Sequence, residues 1–108
     1  MKLTQADWTP ESDQRRRLFW LVADQLNAQC RIPEFVVQDD QQGPLIHHVP
    51  AAVRIAIKPS MPANPEKPFD IWVRLTHRFP VRADGSFNVK LVVQRVKEVR
   101  KLRLPEVP

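Results

Sequence analysis

The sequence predicts a two-layer α+β domain, with one N-terminal amphipathic helix packed on an antiparallel sheet of three to four strands. The prediction rests on an apolar stripe at helical spacing, two later segments in which apolar and polar residues alternate, and an Asp-Gly turn signal. A single amphipathic helix and a one-faced sheet can bury their apolar sides only against each other. The chain has 108 residues, of which 43% are hydrophobic. We therefore expect one small domain over 1–108.

The helix is predicted to begin after Thr9, whose hydroxyl would cap it, with Pro10 in the first turn. Its apolar stripe at helical spacing comprises Leu18, Phe19, Val22, Ala23, Leu26 and Cys30. The helix should end near Cys30, because Pro33 pushes the residue before it out of the helical region.

Trp20 lies outside this stripe, and two explanations for it are open. Either a second layer covers it, for example the N-terminal segment that carries Trp8, or it serves binding. In the run Asp13–Trp20, an acid, a glutamine and basic residues precede a leucine and a tryptophan. This run resembles a short run in the NinB-type phage recombination proteins. The resemblance covers fewer than ten residues. It implies a link to the nucleic-acid metabolism of mobile elements and assigns no site.

Two half-buried strands are predicted at 51–58 and 69–76, where apolar and polar residues alternate. A short strand at 35–37 is compatible with the pattern, and 38–44 is typical of a polar turn. Prolines at every third position from 59 to 68 favour an extended connection between the two longer strands. A loop explains that spacing without a proline-recognising partner.

A hairpin at Asp84-Gly85 is predicted to lead into a further strand over 87–94. Five valines between Val89 and Val99 favour the strand, because branching at Cβ suits a pleated surface. Apolar residues then recur every third position, so 95–104 is open between a short helix and a bulged strand. Residues 95–108 form a predicted basic C-terminal tail.

If Ile55, Ile71 and Val89 face the helix, the opposite sheet face carries a set of cations around one tryptophan. The residues predicted there are Arg54, Lys58, Trp72, Arg74, Thr76, Arg78, Arg82 and Lys90. Proteins that bind single-stranded nucleic acid on a β-sheet use this combination. Their cations contact the phosphates, and an aromatic ring stacks on the bases. The alternative is an ordinary solvated face, since outward positions of antiparallel sheets are polar.

Charge is distributed unevenly along the chain, whose net charge is +5 at pH 7. Residues 1–53 carry five basic against seven acidic residues, and the remainder carries twelve against five. A positive surface attracts polyanions such as nucleic acid or an acidic protein.

Several function classes lack a sequence signal. The longest apolar run, 18–23, is too short to span a membrane. The N-terminus has no apolar stretch that could form the core of a secretory signal peptide. We therefore expect a cytoplasmic protein with no membrane partner. The lone Cys30 is expected to be a small core residue. His47 and His48 are adjacent and should point to opposite faces, so no metal site is predicted. Without a phosphate-binding glycine loop or a catalytic motif, we expect no cofactor and no enzymatic activity.

The sequence therefore predicts a small non-enzymatic binding protein that holds nucleic acid, single-stranded in preference, on its basic sheet face. Trp20 is a second candidate contact. The alternative is an adaptor, inhibitor or immunity-type protein that docks on an acidic protein through the same face or through Trp20. Dimerisation through an edge strand or the outer sheet face is also compatible with so small a domain.

Overall fold

The computed structural model describes residues 3–101, in which two helices flank five strands. The elements in order are α1 Asp13–Asn27, β1 Phe35–Asp40, β2 Gly43–His48, β3 Val53–Pro59, β4 Phe69–Val73, β5 His77–Val81 and α2 Val89–Lys101. The predicted α+β class is confirmed. The strand count and the single helix are wrong: the sheet has five strands and the chain a second helix.

The N-cap of helix α1 lies three residues after the predicted one. Ser12, in an extended conformation, is the N-cap, and its Oγ accepts the backbone N–H of Arg15 at 3.1 Å. Thr9 instead forms a turn, its carbonyl accepting the N–H of Ser12. The predicted stripe is confirmed over Leu18–Leu26, which is buried at the expected spacing, whereas Cys30 lies half-buried in the turn after the helix.

The strands form an antiparallel meander in the order β1-β2-β3-β4-β5. One face of the sheet, the inner face, carries buried side chains such as Ile46, Ile55 and Ile71, which share one core with the buried residues of both helices. Helix α1 packs on β1 and β2, α2 packs on β4, and the helices contact each other. Both helices therefore cover the inner face, and neither of these described helices covers the opposite face, here called the outer face.

Two strands were not predicted because each contains a proline. Strand β2 opens with Gly43-Pro44, a pair that normally marks a turn, and β1 extends through residues 38–40 that were assigned to that turn. Strand β5 contains Pro80, which it tolerates because an edge strand has one row of backbone N–H groups without a partner. The β4–β5 turn falls at 74–76, where Arg74 and Leu75 adopt positive φ.

The strand predicted over 87–94 is wrong, because this segment begins helix α2. Val92, Val93, Val96 and Val99 are buried at spacings of three and four, which place them on one side of a helix. Asn88 caps it, its Oδ1 accepting the N–H of Leu91 at 3.2 Å. Burial against the sheet outweighs the weak preference of valine for strands.

The structure also changes the interpretation of two flanking segments. Asp84-Gly85 belongs to the connection between β5 and α2 rather than to a hairpin. Residues 95–101 of the predicted basic tail belong to α2, and the remainder of that tail lies outside the described residues.

Candidate nucleic-acid interface on the outer sheet face

The outer face carries Trp72, which is on the strand next to the edge strand β5. Trp72 lies on β4 with Ala56 of β3 opposite it on one side and Arg78 of β5 on the other. Because Ala56 has only a methyl group, the neighbouring strand leaves the indole partly exposed. Arg54 and Lys58 occupy alternate positions of β3 on either side of Ala56 and are exposed on the same face. The structure thus brings together four of the predicted residues: Arg54, Lys58, Trp72 and Arg78.

A groove of about 500 Å³, here called the outer groove, lies beside Trp72. Its lining includes Lys58, Asp70, Trp72 and Arg78 from the strands, with Trp8, Met61 and Leu75 around them. Leu75 also borders a second concavity of about 570 Å³ that reaches the β1–β2 hairpin. Met61, Asp70 and Arg78 also border a third, of about 410 Å³, under the proline-rich loop. The three concavities share lining residues and follow one another from the β1–β2 hairpin to the proline-rich loop, an arrangement suited to an extended chain.

The cations of the outer face form no ion pairs with other described residues. The ion pairs in that part of the chain are Arg16–Asp39 and Arg95–Glu98, and His48 makes a hydrogen bond with Glu34, all away from the outer groove. Arg54, Lys58 and Arg78 are exposed, so their charges are available to a bound anion.

One carboxylate interrupts this basic surface. Asp70, two residues before Trp72 on β4, is 5% exposed and lines the outer groove. Burial raises the pKa of its carboxyl, and the charge of Arg78 opposes that rise. None of the described residues forms a hydrogen bond or ion pair with the Asp70 side chain.

The remaining cations predicted on this face lie at its margin or away from it. Arg74 and Thr76 are in the β4–β5 turn, where Arg74 borders the second concavity. Arg82 follows β5, and its guanidinium donates to the Oγ of Ser86 at 3.1 Å. Lys90 is on α2, on the helical side of the molecule, so its predicted place on the outer face is wrong. The error follows directly from assigning 87–94 to a strand.

Trp20 is separated from the outer groove by the sheet. It lies on α1, which packs on the inner face, and its side chain is 53% exposed. The N-terminal segment does not cover it: the Trp8 ring packs on Phe69, with centroids 4.3 Å apart, and Arg15 lies over the same ring. Trp20 and Trp72 therefore cannot contribute to one binding site.

Sequence reasoning missed five residues of the outer groove: Trp8, Pro59, Met61, Asp70 and Leu75. Asp70 could have been found, because the alternation that places Trp72 outward places Asp70 on the same face. Met61 and Trp8 reach the groove from the proline-rich loop and the N-terminal segment, whose positions depend on tertiary packing and have no periodic signal.

The histidines point to opposite faces of β2, as predicted. His48 is buried on the inner face, where its Nε2 lies 2.8 Å from a carboxylate oxygen of Glu34, and His47 pairs with Arg54 across the outer face. Within residues 3–101, no group of three or more histidine, cysteine or acidic side chains is placed to hold a metal ion. No helix in that range is long and apolar enough to cross a membrane.

Comparisons with protein-family models, curated proteins and solved structures find no match. The short run that resembles NinB-type proteins lies within α1, where Arg15 packs over Trp8 and Arg16 pairs with Asp39. These two arginines therefore make contacts within the fold. Function has to be argued from the outer face itself.

Proposed function

We propose that this protein is a small non-enzymatic binding protein that holds single-stranded nucleic acid on its outer face. The observation that carries the proposal is Trp72, partly exposed beside a groove between Lys58 and Arg78, whose charges have no ion-pair partner among the described residues. An aromatic ring gives a base a stacking surface, and flanking cations neutralise the phosphates on either side of it.

The geometry favours a single strand over a duplex. Stacking on Trp72 requires a base whose face is accessible, and in a duplex both faces of each base are covered by neighbouring bases. The outer groove and its two neighbours would hold a strand across the sheet, with Arg54 toward one end and Lys67 toward the other.

The test compares two tryptophans on opposite sides of the molecule. A short labelled oligothymidylate is titrated with wild-type protein, Trp72→Ala and Trp20→Ala at low salt, with fluorescence anisotropy as the readout. We expect Trp72→Ala to weaken binding by about 1 to 3 kcal/mol, the usual contribution of one stacked base, and Trp20→Ala to bind like wild type. Equal loss in both variants, or no binding by the wild type, would refute the proposal.

The second candidate is docking of an acidic protein on the same face. It is favoured by Met61 and Leu75, which border the outer groove and are 83% and 63% exposed, because a protein partner would bury apolar side chains that nucleic acid leaves in solvent. A polyglutamate chain distinguishes the two candidates. The protein-docking candidate is favoured if polyglutamate competes for the protein as well as an oligonucleotide of equal charge does, and if Trp72→Ala binds both of these polyanions as tightly as wild type.

A further inference from the structure

Asp70 places a carboxylate in the lining of the outer groove, which a basic binding face alone does not explain. Asp70 is the one acidic residue among the buried side chains of the described part of the chain. Its neighbours across the strands are Lys58 and Pro80, and neither Lys58 nor Arg78 lies within 4.0 Å of its carboxylate oxygens. The carboxylate oxygens are not fully shielded from solvent and have no hydrogen-bond donor among the described residues, so they can accept hydrogen bonds from a ligand in the groove.

The carboxylate also stands at a defined position relative to the stacking ring. Asp70 and Trp72 are two residues apart on one strand, so both side chains point to the outer face, roughly 7 Å apart along the strand. That separation is about the width of a nucleobase. A base stacked on the indole would therefore bring one edge over Asp70, which lines the same groove.

The chemistry of an ionised carboxylate selects among the bases, because it only accepts hydrogen bonds. Guanine presents two adjacent N–H donors on its Watson–Crick edge, at N1 and N2, and two parallel bonds to one carboxylate make a strong and geometrically specific pair. Thymine and inosine present one ring N–H there, and adenine and cytosine one amino group, so each can make only one such bond.

We propose that Asp70 gives the outer groove a preference for guanine, which stacks on Trp72 and donates its N1 and N2 protons to the carboxylate. The proposal rests on the proposed function and adds a base identity to it. Arg78, on the next strand beside Trp72, is then placed to contact the phosphate of the same nucleotide.

The experiment uses three short oligothymidylates that carry one central guanosine, inosine or thymidine. We expect wild-type protein to bind the guanosine strand roughly tenfold more tightly than the thymidine strand, within the usual range for a bidentate base contact. Inosine, which lacks the N2 amine, should lose most of that advantage. Asp70→Asn should bind all three strands alike, because an amide cannot accept two hydrogen bonds through its two terminal atoms.

The matched control is Asp24→Asn, which removes an exposed acid from α1, on the other side of the sheet, and should leave the guanosine preference intact. Equal binding of the three strands by wild type would overturn the assignment of Asp70 while leaving the proposed function in place. A guanosine preference that survives in Asp70→Asn would overturn it as well. Failure of wild-type protein to bind any strand would remove the proposed function, and this proposal with it.

Discussion

Asn27 joins the end of α1 to the start of β1, and its removal should destabilise the fold by a predictable amount. Its amide nitrogen donates to the carbonyl of Phe35 at 2.8 Å, and its Oδ1 accepts the backbone N–H groups of Glu34 and Phe35 at 3.0 and 2.8 Å. Three hydrogen bonds at about 1 kcal/mol each give about 3 kcal/mol. Alanine regains about 0.5 kcal/mol through helix propensity, and water replaces part of the rest, so Asn27→Ala should cost about 2 kcal/mol.

The assay is urea denaturation followed by circular dichroism, with Gln29→Ala as the control. Gln29 is exposed just beyond α1 and makes no side-chain hydrogen bond to another described residue, so its variant should remain within about 0.5 kcal/mol of wild type. Asn27→Asp adds a pH test, because a carboxylate beside the Phe35 carbonyl repels it, whereas the protonated acid can donate to it. Its deficit relative to wild type should shrink as pH falls toward about 4, the ordinary pKa of an aspartate, and should be smallest below that pH. An Asn27→Ala variant as stable as Gln29→Ala would refute the reasoning.

Two further predictions concern Asp70 and α2. Because burial raises the pKa of Asp70, ionising its carboxyl costs the folded state more than the unfolded state. Asp70→Asn should therefore increase the free energy of unfolding at neutral pH. This gain in stability should vanish as pH falls below 3.8, the ordinary pKa of the group. Denaturation at neutral and acid pH checks this, and an Asn variant less stable than wild type at neutral pH would contradict it. Val96→Ala, at a position 1% exposed, should cost about 2 kcal/mol in the same assay, whereas Leu91→Ala, 40% exposed, should cost under about 0.5 kcal/mol. The reverse order would argue against the helix.

The parts of the fold that were predicted from the sequence are those with a clear period and no conflicting local signal. The α1 stripe and the alternation around Ile55 and Ile71 each have one dominant pattern, and the structure places both sets in the core. From these residues the open face with Trp72 follows directly, because side chains alternate along a strand.

The errors arose where a local preference opposes tertiary packing. Pro44 and Pro80 normally interrupt strands, but one opens β2 and the other lies on an edge strand. The valines of α2 favour a strand, although their buried members recur at helical spacing and Asn88 caps the segment. Placing Lys90 on the sheet was a consequence of that error.

The central claim is that the cations of the outer face, and not the basic residues elsewhere, hold the phosphates. It is tested most directly by the salt dependence of oligothymidylate binding by wild type, Arg78→Gln and Lys90→Gln. Each variant removes one positive charge, the first from the outer groove and the second from α2. We predict that Arg78→Gln lowers the slope of log affinity against log salt by about 0.7, the value for one phosphate contact with a single strand, and that Lys90→Gln leaves it unchanged. An equal reduction in both variants would contradict the claim.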